Sequence, residues 1–373
     1  MASGGVAMVS LGGWAWFRSK RRIGSREIHA VEAASAGFSG DWLVSPYTTE
    51  VDNLRNAHTD MFLSFTSLTS AEYLRVPVPL RGHACLRHPL RPATVVLFPK
   101  FGDLAVEISL GHEPELRRVA ATSEAYFYGH GIFSPAGDVL FETEVMARDR
   151  RGIISLRDPS DYRELGRFES GGVSPHDLKL STDGRHLIVA NGNKSGSAKA
   201  SVTTLDIASG KILERIESPE DNATFAHLVL ADSDRDLLVA TTPHEEFRPG
   251  RVYARREDGP IEVLPIPDEI LSQLRGQALS LAVQPEQAIC GVTYPDCDRA
   301  LFWNYRERRF LGEVPLLRPT GFVLAPDGRH FLAVQRTAAV QAIDTTTLQP
   351  VEHPLSPLLA GNVSHASLLA FQK

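Results

Sequence analysis

The chain has 373 residues, enough for two or three ordinary domains or for one repeat architecture. Hydrophobic residues are 43% and charged residues 23%, which excludes wholesale disorder, a collagen-like chain and a multi-span membrane protein. The net charge of −6 argues against a dedicated nucleic-acid binder, which carries a basic excess. Gly (29) and Pro (24) are frequent, a density of turn formers that suits many short elements. The three cysteines, Cys85, Cys290 and Cys297, form no C-x-x-C pair. Covalent haem attachment is thereby excluded, and the three read as buried small hydrophobes.

Met1 to Phe17 is uncharged and is followed by the basic run Arg18 to Arg22. That apolar length fits a signal h-region better than a membrane span, but the charge follows the run instead of preceding it. Three explanations stand: a start site further upstream, an uncleaved anchor, or a tail without a role. In each case residues 1–40 are expected to lie outside the fold, with 41–373 forming one domain.

From about Asp41 onward, strand candidates come in a regular order. Asp41 to Thr48, Met61 to Leu68 and Tyr73 to Leu80 are three β-rich runs. A hairpin unit then recurs: two β-rich runs joined by a Gly-containing turn, clearest at Gly129–Glu144, Pro175–Asn191 and Thr320–Gln335. Weaker copies lie at Gly82–Pro99, Ala226–Thr241 and Gln277–Thr293, and each copy is followed by two further strand candidates. Asp161, Asp183 and Asp327 read as turn residues, and the polar run Asn191–Lys199 as a flexible loop. One helix is expected, at Pro267–Gln277, with Pro at its entry, Asp268 and Glu269 in its first turn and Gly276 at its end.

The first strands begin near His83, His130, His176, His227, Ala278, Gly321 and His365, at steps of 47, 46, 51, 51, 43 and 44 residues. A four-stranded unit of this period is a β-propeller blade. Seven first strands predict an all-β, seven-bladed propeller. The last strand stops at the carboxyl terminus, and the three runs before His83 supply its missing partners, so the two ends share one blade and close the ring.

Five of the seven first strands start with histidine: His83, His130, His176, His227 and His365. First strands line a propeller's channel, so the five point to a common site. Neutral imidazole is a good ligand for iron, copper or zinc. Asp177, Glu142 and Glu144 are the nearby carboxylates. Asp177 and Glu142 are candidates to stand behind the rings and orient them, or the acids pair with Arg150, Arg151 and Arg185. The alternative for the histidines is to bridge adjacent blades through backbone carbonyls. One difficulty concerns register. His83 and His176 lie six residues before the turn, His130 and His227 five, which strict alternation would place on opposite faces. A β-bulge at the strand start, inexpensive beside Gly82, Gly129 and Gly131, reconciles them.

The run from Phe127 to Pro135, the stretch from Tyr162 to Gly192, Arg81-Gly82-His83 and the His227 strand resemble the domain of unknown function family 1513. The resemblance implies an exported bacterial propeller that follows a twin-arginine signal. It also implies a periplasmic location, and partners among imelysin-like and di-haem oxidoreductase proteins of iron uptake. The leading expectation is a periplasmic or inner-membrane-anchored binding protein holding a metal (iron or copper) or small ligand at a His-lined mouth. The rivals are a metal-dependent, lactonase-like hydrolase or oxidoreductase accessory, and a protein-interaction scaffold.

Overall fold

The computed structural model describes residues 38–48, 61–70, 72–111, 113–192, 198–336, 339–352, 362–363 and 365–371. The fold is all-β and antiparallel. Strands β1 (Gly40–Thr48), β2 (Met61–Ser67) and β3 (Tyr73–Pro77) form one ladder. The second runs through β4 (Gly82–Arg87), β5 (Thr94–Gly102), β6 (Leu104–Leu110) and β7 (Pro114–Ala120). Then come β8 (Ala125–Phe133), β9 (Leu140–Met146) and β10 (Arg151–Arg157), followed by the 17-residue β11 (Glu164–Leu180).

The first part of β11 pairs with β10. Its second part opens the next ladder, β12 (His186–Gly192), β13 (Ser201–Asp206) and β14 (Ile212–Glu217). Because β11 serves two ladders, and β5 also touches β8 at Lys100–Tyr128, these strands merge into one extended 11-stranded sheet. Three separate four-stranded sheets follow. They are β15 (Ala223–Ala231) to β18 (Glu262–Val263) through β16 (Asp236–Pro243) and β17 (Val252–Arg256); β19 (Leu281–Gln284) to β22 (Arg309–Pro315) through β20 (Ile289–Tyr294) and β21 (Arg299–Asn304); and β23 (Pro319–Leu324) to β26 (Pro350–Val351) through β24 (His330–Gln335) and β25 (Val340–Asp344).

The carboxyl end returns to the amino end, as the sequence predicted. Strands β27 (Asn362–Val363) and β28 (Ser367–Phe371) both pair with β1, and Leu369 lies opposite Trp42. Apolar residues on the sheet faces meet between neighbouring ladders. Trp42, Phe65 and Phe371 pack on Cys85, Val95 and Leu97 of the second ladder. At the other end of the order, Leu43 and Tyr47 of β1 pack with Val334 of β24, so the last sheet also packs on the first. Phe38, within the segment expected to lie outside the fold, is buried: it stacks on Trp42 (4.3 Å between ring centroids) and meets Phe371 edge-on at 4.6 Å. The ordered fold therefore reaches back at least to Phe38, and the expected boundary at residue 40 is too late by those residues. Met1 to Gly37 lie outside the described residues.

The expected helix is cut short. Only α1 (Asp268–Leu271) is helical. Beyond it, Gln273 and Leu274 donate to the carbonyls of Ile270 and Leu271, a tighter turn that draws Leu274 into the core. Gly276, with φ +70°, then donates its N–H to Glu246 O. Asp161, Asp183 and Asp327 do occupy turns, each accepting a backbone N–H two residues on. Most of the Asn191–Lys199 loop, residues 193–197, lies outside the described residues. All three cysteines are free and buried. Among the described residues no helix is long and apolar enough to cross a membrane.

Candidate metal centre

Each of the four central histidines sits at a bulge. In the β4–β5 ladder Gly82 pairs with Pro99 and Ala84 with Phe98, so His83 is the extra residue. In β11–β12 Pro175 pairs with Asn191 and Asp177 with Ala190, which makes His176 extra. His130 lies in a wider irregularity between Phe127 and Gly131, and His227 in one between Phe225 and Leu228. An extra residue turns the local strand, so that all four rings point inward despite their unequal distances from the turn. Thr143 fills the gap beside His130, accepting its N–H at 3.2 Å and donating its hydroxyl to its carbonyl at 3.1 Å. Gly129 is required here: its φ is +120°, and a Cβ would come within 2.4 Å of His83 Cδ2.

The five predicted histidines converge. His83 is centred 5.1 Å from His130, 5.1 Å from His176 and 4.2 Å from His365, and His227 lies 4.7 Å from both His176 and His365. His83, His130, His176 and His227 each present a ring nitrogen, and these nitrogens all lie within 4.8 Å of one another. One ring nitrogen on each of the four, Nε2 of His83, His130 and His227 and Nδ1 of His176, is buried with no hydrogen-bond partner among the described residues. The bridging alternative predicted carbonyl partners for these nitrogens. The bridges between ladders are made instead by other residues: Asp177 accepts the Leu228 N–H at 3.1 Å, and Ser280 accepts the Phe322 N–H at 3.0 Å.

Asp177 stands behind two of the rings. Its Oδ1 is 3.5 Å from His130 Nδ1 and its Oδ2 is 3.7 Å from His227 Nδ1, leaving the Nε2 atoms of both rings toward the cluster. It also accepts the Leu178 N–H at 2.8 Å and pairs with Lys179 at 2.7 Å. Burial alone would raise its pKa, but Lys179 and the flanking imidazoles outweigh that and hold it well below the usual carboxylate range. Burial, with Lys100 adding to it, does the reverse to all five histidines; neighbouring rings add to the fall at His83, His130, His176 and His365, and Asp177 pulls against it at His130, His227 and His365. His130 falls to about 3, His83, His176 and His365 fall well below 6.5, and His227 falls as well. At neutral pH all five rings are uncharged and keep a lone pair for a ligand.

Glu142 does not join them. It is fully buried beside Ser155 and bonded to the Arg157 guanidinium, which also bonds Glu144 at 2.9 Å. Arg157, not the expected Arg150, Arg151 or Arg185, is the partner. The reason is register: Glu144 lies opposite Ile153, Glu142 opposite Ser155 and Leu140 opposite Arg157, so Arg157 shares a face with both acids and its side chain runs back along that face to reach them. Burial pushes Glu142 up to about 8, with Glu144 adding to the rise against the pull of Arg157.

The histidine layer separates two cavities along the channel. On one side is a cavity of about 170 Å³ in which His83, His176 and His365 meet Arg81, Lys100, Tyr128 and Arg336. On the other is one of about 260 Å³, where His130, Asp177 and Lys179 face apolar residues such as Leu281 and Phe322. Successive inner-strand residues pass from the first cavity to the second, as Arg81 and His83 to Cys85 and Leu86 do. The sequence reading missed the cationic residues. Lys100 lies beyond its hairpin, where β5 outruns β4 to reach β8, and Arg81 and Arg336 lie at strand ends with no periodic signal.

Known structures of similar shape share little sequence. Kuenenia stuttgartiensis hydrazine synthase superposes with a TM-score of 0.63 at 16% identity, over 77% of this chain and 90% of that one. The periplasmic gluconolactonase of Pseudomonas aeruginosa gives 0.62 at 15%, over 89% and 99%. A putative 6-phosphogluconolactonase from Bacteroides uniformis gives 0.62 at 13%, over 88% and 99%. These likenesses show a propeller-like fold. No curated protein matches the sequence. The profile of the family described as "Protein of unknown function (DUF1513)" matches residues 76–357, well over half of the chain, and the protein belongs to that family.

Proposed function

We propose that this protein is a seven-bladed β-propeller that binds a transition-metal ion at the centre of its channel. His83, His130, His176 and His227 would be the ligands, with His365 packed beside them. Seven inner segments contribute to the channel, and the pairing of β28 with β1 supports closure of the ring through a shared blade. The observation that carries the metal reading is that His83, His130, His176 and His227 each bring a ring nitrogen within 4.8 Å of the others, and that each has a buried ring nitrogen without a hydrogen-bond partner among the described residues. Metal–nitrogen bonds of about 2.0–2.1 Å hold trans ligands about 4.2 Å apart and adjacent ones closer, so binding draws the rings inward, by at least about half an ångström where two nitrogens stand 4.8 Å apart. Neutral imidazoles suit copper, iron or zinc. Asp177 supplies the carboxylate that fixes ring orientation behind a metal-bound histidine.

Metal analysis of the purified protein, followed by titration with Cu(II), Fe(II) and Zn(II), tests the reading. We expect one ion per chain, lost in His176→Ala with the melting temperature of the metal-free protein nearly unchanged. An unaltered metal content in that variant would overturn the site.

The hydrolase alternative draws less support, because no carboxylate lines the 170 Å³ cavity among the described residues to act as a base. Export to the periplasm and partnership with imelysin-like and di-haem oxidoreductase proteins belong to the same proposal. They rest on the family resemblance, and subcellular fractionation and co-purification test them.

A further inference from the structure

The 170 Å³ cavity above the histidine layer brings together three cationic side chains from separate parts of the chain. Arg81 precedes β4, Lys100 is near the end of β5, and Arg336 follows β24. Among the described residues no Asp or Glu lines this cavity, while Thr224, Gln277 and Thr320 add neutral hydrogen-bonding groups. Arg336 is partly buried, and its Nε is shielded from solvent without a hydrogen-bond partner among the described residues. Lys100 lies 5.6 Å from the Tyr128 ring centroid, and its charge bears on all five imidazoles. Like charges gathered in a concave, low-dielectric site focus a positive potential and favour an anion.

We propose that this cavity is a binding site for a small multivalent oxyanion, such as a dicarboxylate or phosphate, held by Arg81, Lys100 and Arg336 above the histidine layer. The cavity limits the ligand to a small one, and three cations around it favour two or more negative charges over one. Arginine matches the planar oxygen pair of a carboxylate or phosphate by a two-point contact. Burial, together with Arg318 and Arg81 and against the pull of Asp296, holds the Arg336 pKa below its ordinary value, and an anion would relieve that repulsion. The inference deepens the proposed function at the same cavity, yet it does not need the metal.

Isothermal titration of the metal-free, full-length protein with oxalate and, separately, inorganic phosphate tests it, with chloride as the monovalent control. We expect saturable 1:1 binding of at least one of the two divalent probes, weakening steeply with added NaCl. Arg81→Gln and Arg336→Gln should each weaken it about tenfold or more, the loss of one charge-assisted contact. Arg81 is exposed, so its variant serves if Arg336→Gln fails to fold. Because the titration uses metal-free protein, saturable anion binding stands even where metal titration finds no site, which separates this proposal from the metal site. Absence of binding at millimolar probe, or binding that both arginine variants leave unchanged, would overturn it.

Discussion

Asp177 and His227 are joined across two ladders: the carboxylate of β11 lies 3.7 Å from the ring of β15 and accepts the N–H of the next residue, Leu228, at 3.1 Å. One side chain thus staples two inner strands and sets the direction of an imidazole. Asp177→Asn keeps an acceptor for only one of the two N–H groups, Leu178 on Oδ1 or Leu228 on Oδ2, and loses the charge facing His130 and His227. We expect a stability loss of about 1–2 kcal/mol with a 10–100-fold fall in metal affinity. Asp177→Ala also strips the partner from Lys179 and those amides and should cost about 2–4 kcal/mol. Chemical denaturation and metal titration of the two variants separate the roles. Equal metal affinity in wild type and Asp177→Asn would contradict the orienting role.

The neutral rings make the fold sensitive to acid. Their folded pKa values lie below 6.5, so between that value and the folded one the unfolded chain binds more protons. The stability they contribute is complete above about pH 6.5 and is lost as pH falls toward the folded pKa, about 3 for His130. Each ring adds a slope of up to about 1.4 kcal/mol per pH unit. Urea unfolding at pH 7.5, 6.0 and 5.0 should show a steep decline, shallower in His130→Gln. A flat profile down to pH 5 would show that the rings are not buried neutral.

Glu142 gives the opposite dependence. Its pKa is raised to about 8, so the folded state holds its proton where the unfolded chain, near 4.5, has released it. That contribution is present below about pH 4.5 and lost as pH rises through 8. Glu142→Gln, which keeps the shape and removes the charge, should gain stability relative to wild type as pH rises from 5 to 9. Denaturation curves across that range check it, and a growing deficit in the variant would refute the assignment.

The shared ladder at the chain ends should control cooperativity. Removing the last nine residues deletes β28, the partner of β1 from Gly40 to Val44, and leaves unpaired strand edges. We expect loss of a single cooperative melt. Phe38→Ala removes the ring that joins Trp42, Phe65 and Phe371 and should cost about 3 kcal/mol. A chain that begins at Asp41 should therefore fold less stably than one that begins at Gly37, by circular dichroism melting.

Gly129→Ala probes the packing under the site. The new methyl would need both a φ of +120° and space occupied by His83. The expected result is a stability loss of about 1–3 kcal/mol with weakened metal binding. The neutral comparison is Gly166→Ala, where a Cβ would meet no atom within 4 Å.

Much of this protein is written locally. The repeat spacing, the Gly-containing turns and the alternating β-rich runs specified antiparallel ladders, and the leftover strands at the two ends specified their mutual pairing. Five histidines at one repeat position marked the channel, because a repeated fold brings equivalent positions to a common axis. The bulges at His83 and His130 were readable from Gly82, Gly129 and Gly131, whereas those at His176 and His227 have no glycine beside them and show only in the pairing. The tertiary structure alone decided what depends on register and on strands far apart in sequence. It placed Glu142 against Arg157, since which residues share a face of a ladder follows from pairing and not from proximity along the chain. It drew Phe38 into the core, because the aromatic pocket exists only once β1, β2 and β28 meet. It gathered Arg81, Lys100 and Arg336 around one cavity, since strand ends far apart in sequence, two on one ladder and one on another, share no local pattern, and the repulsion of Arg336 arises only when the sheets come together.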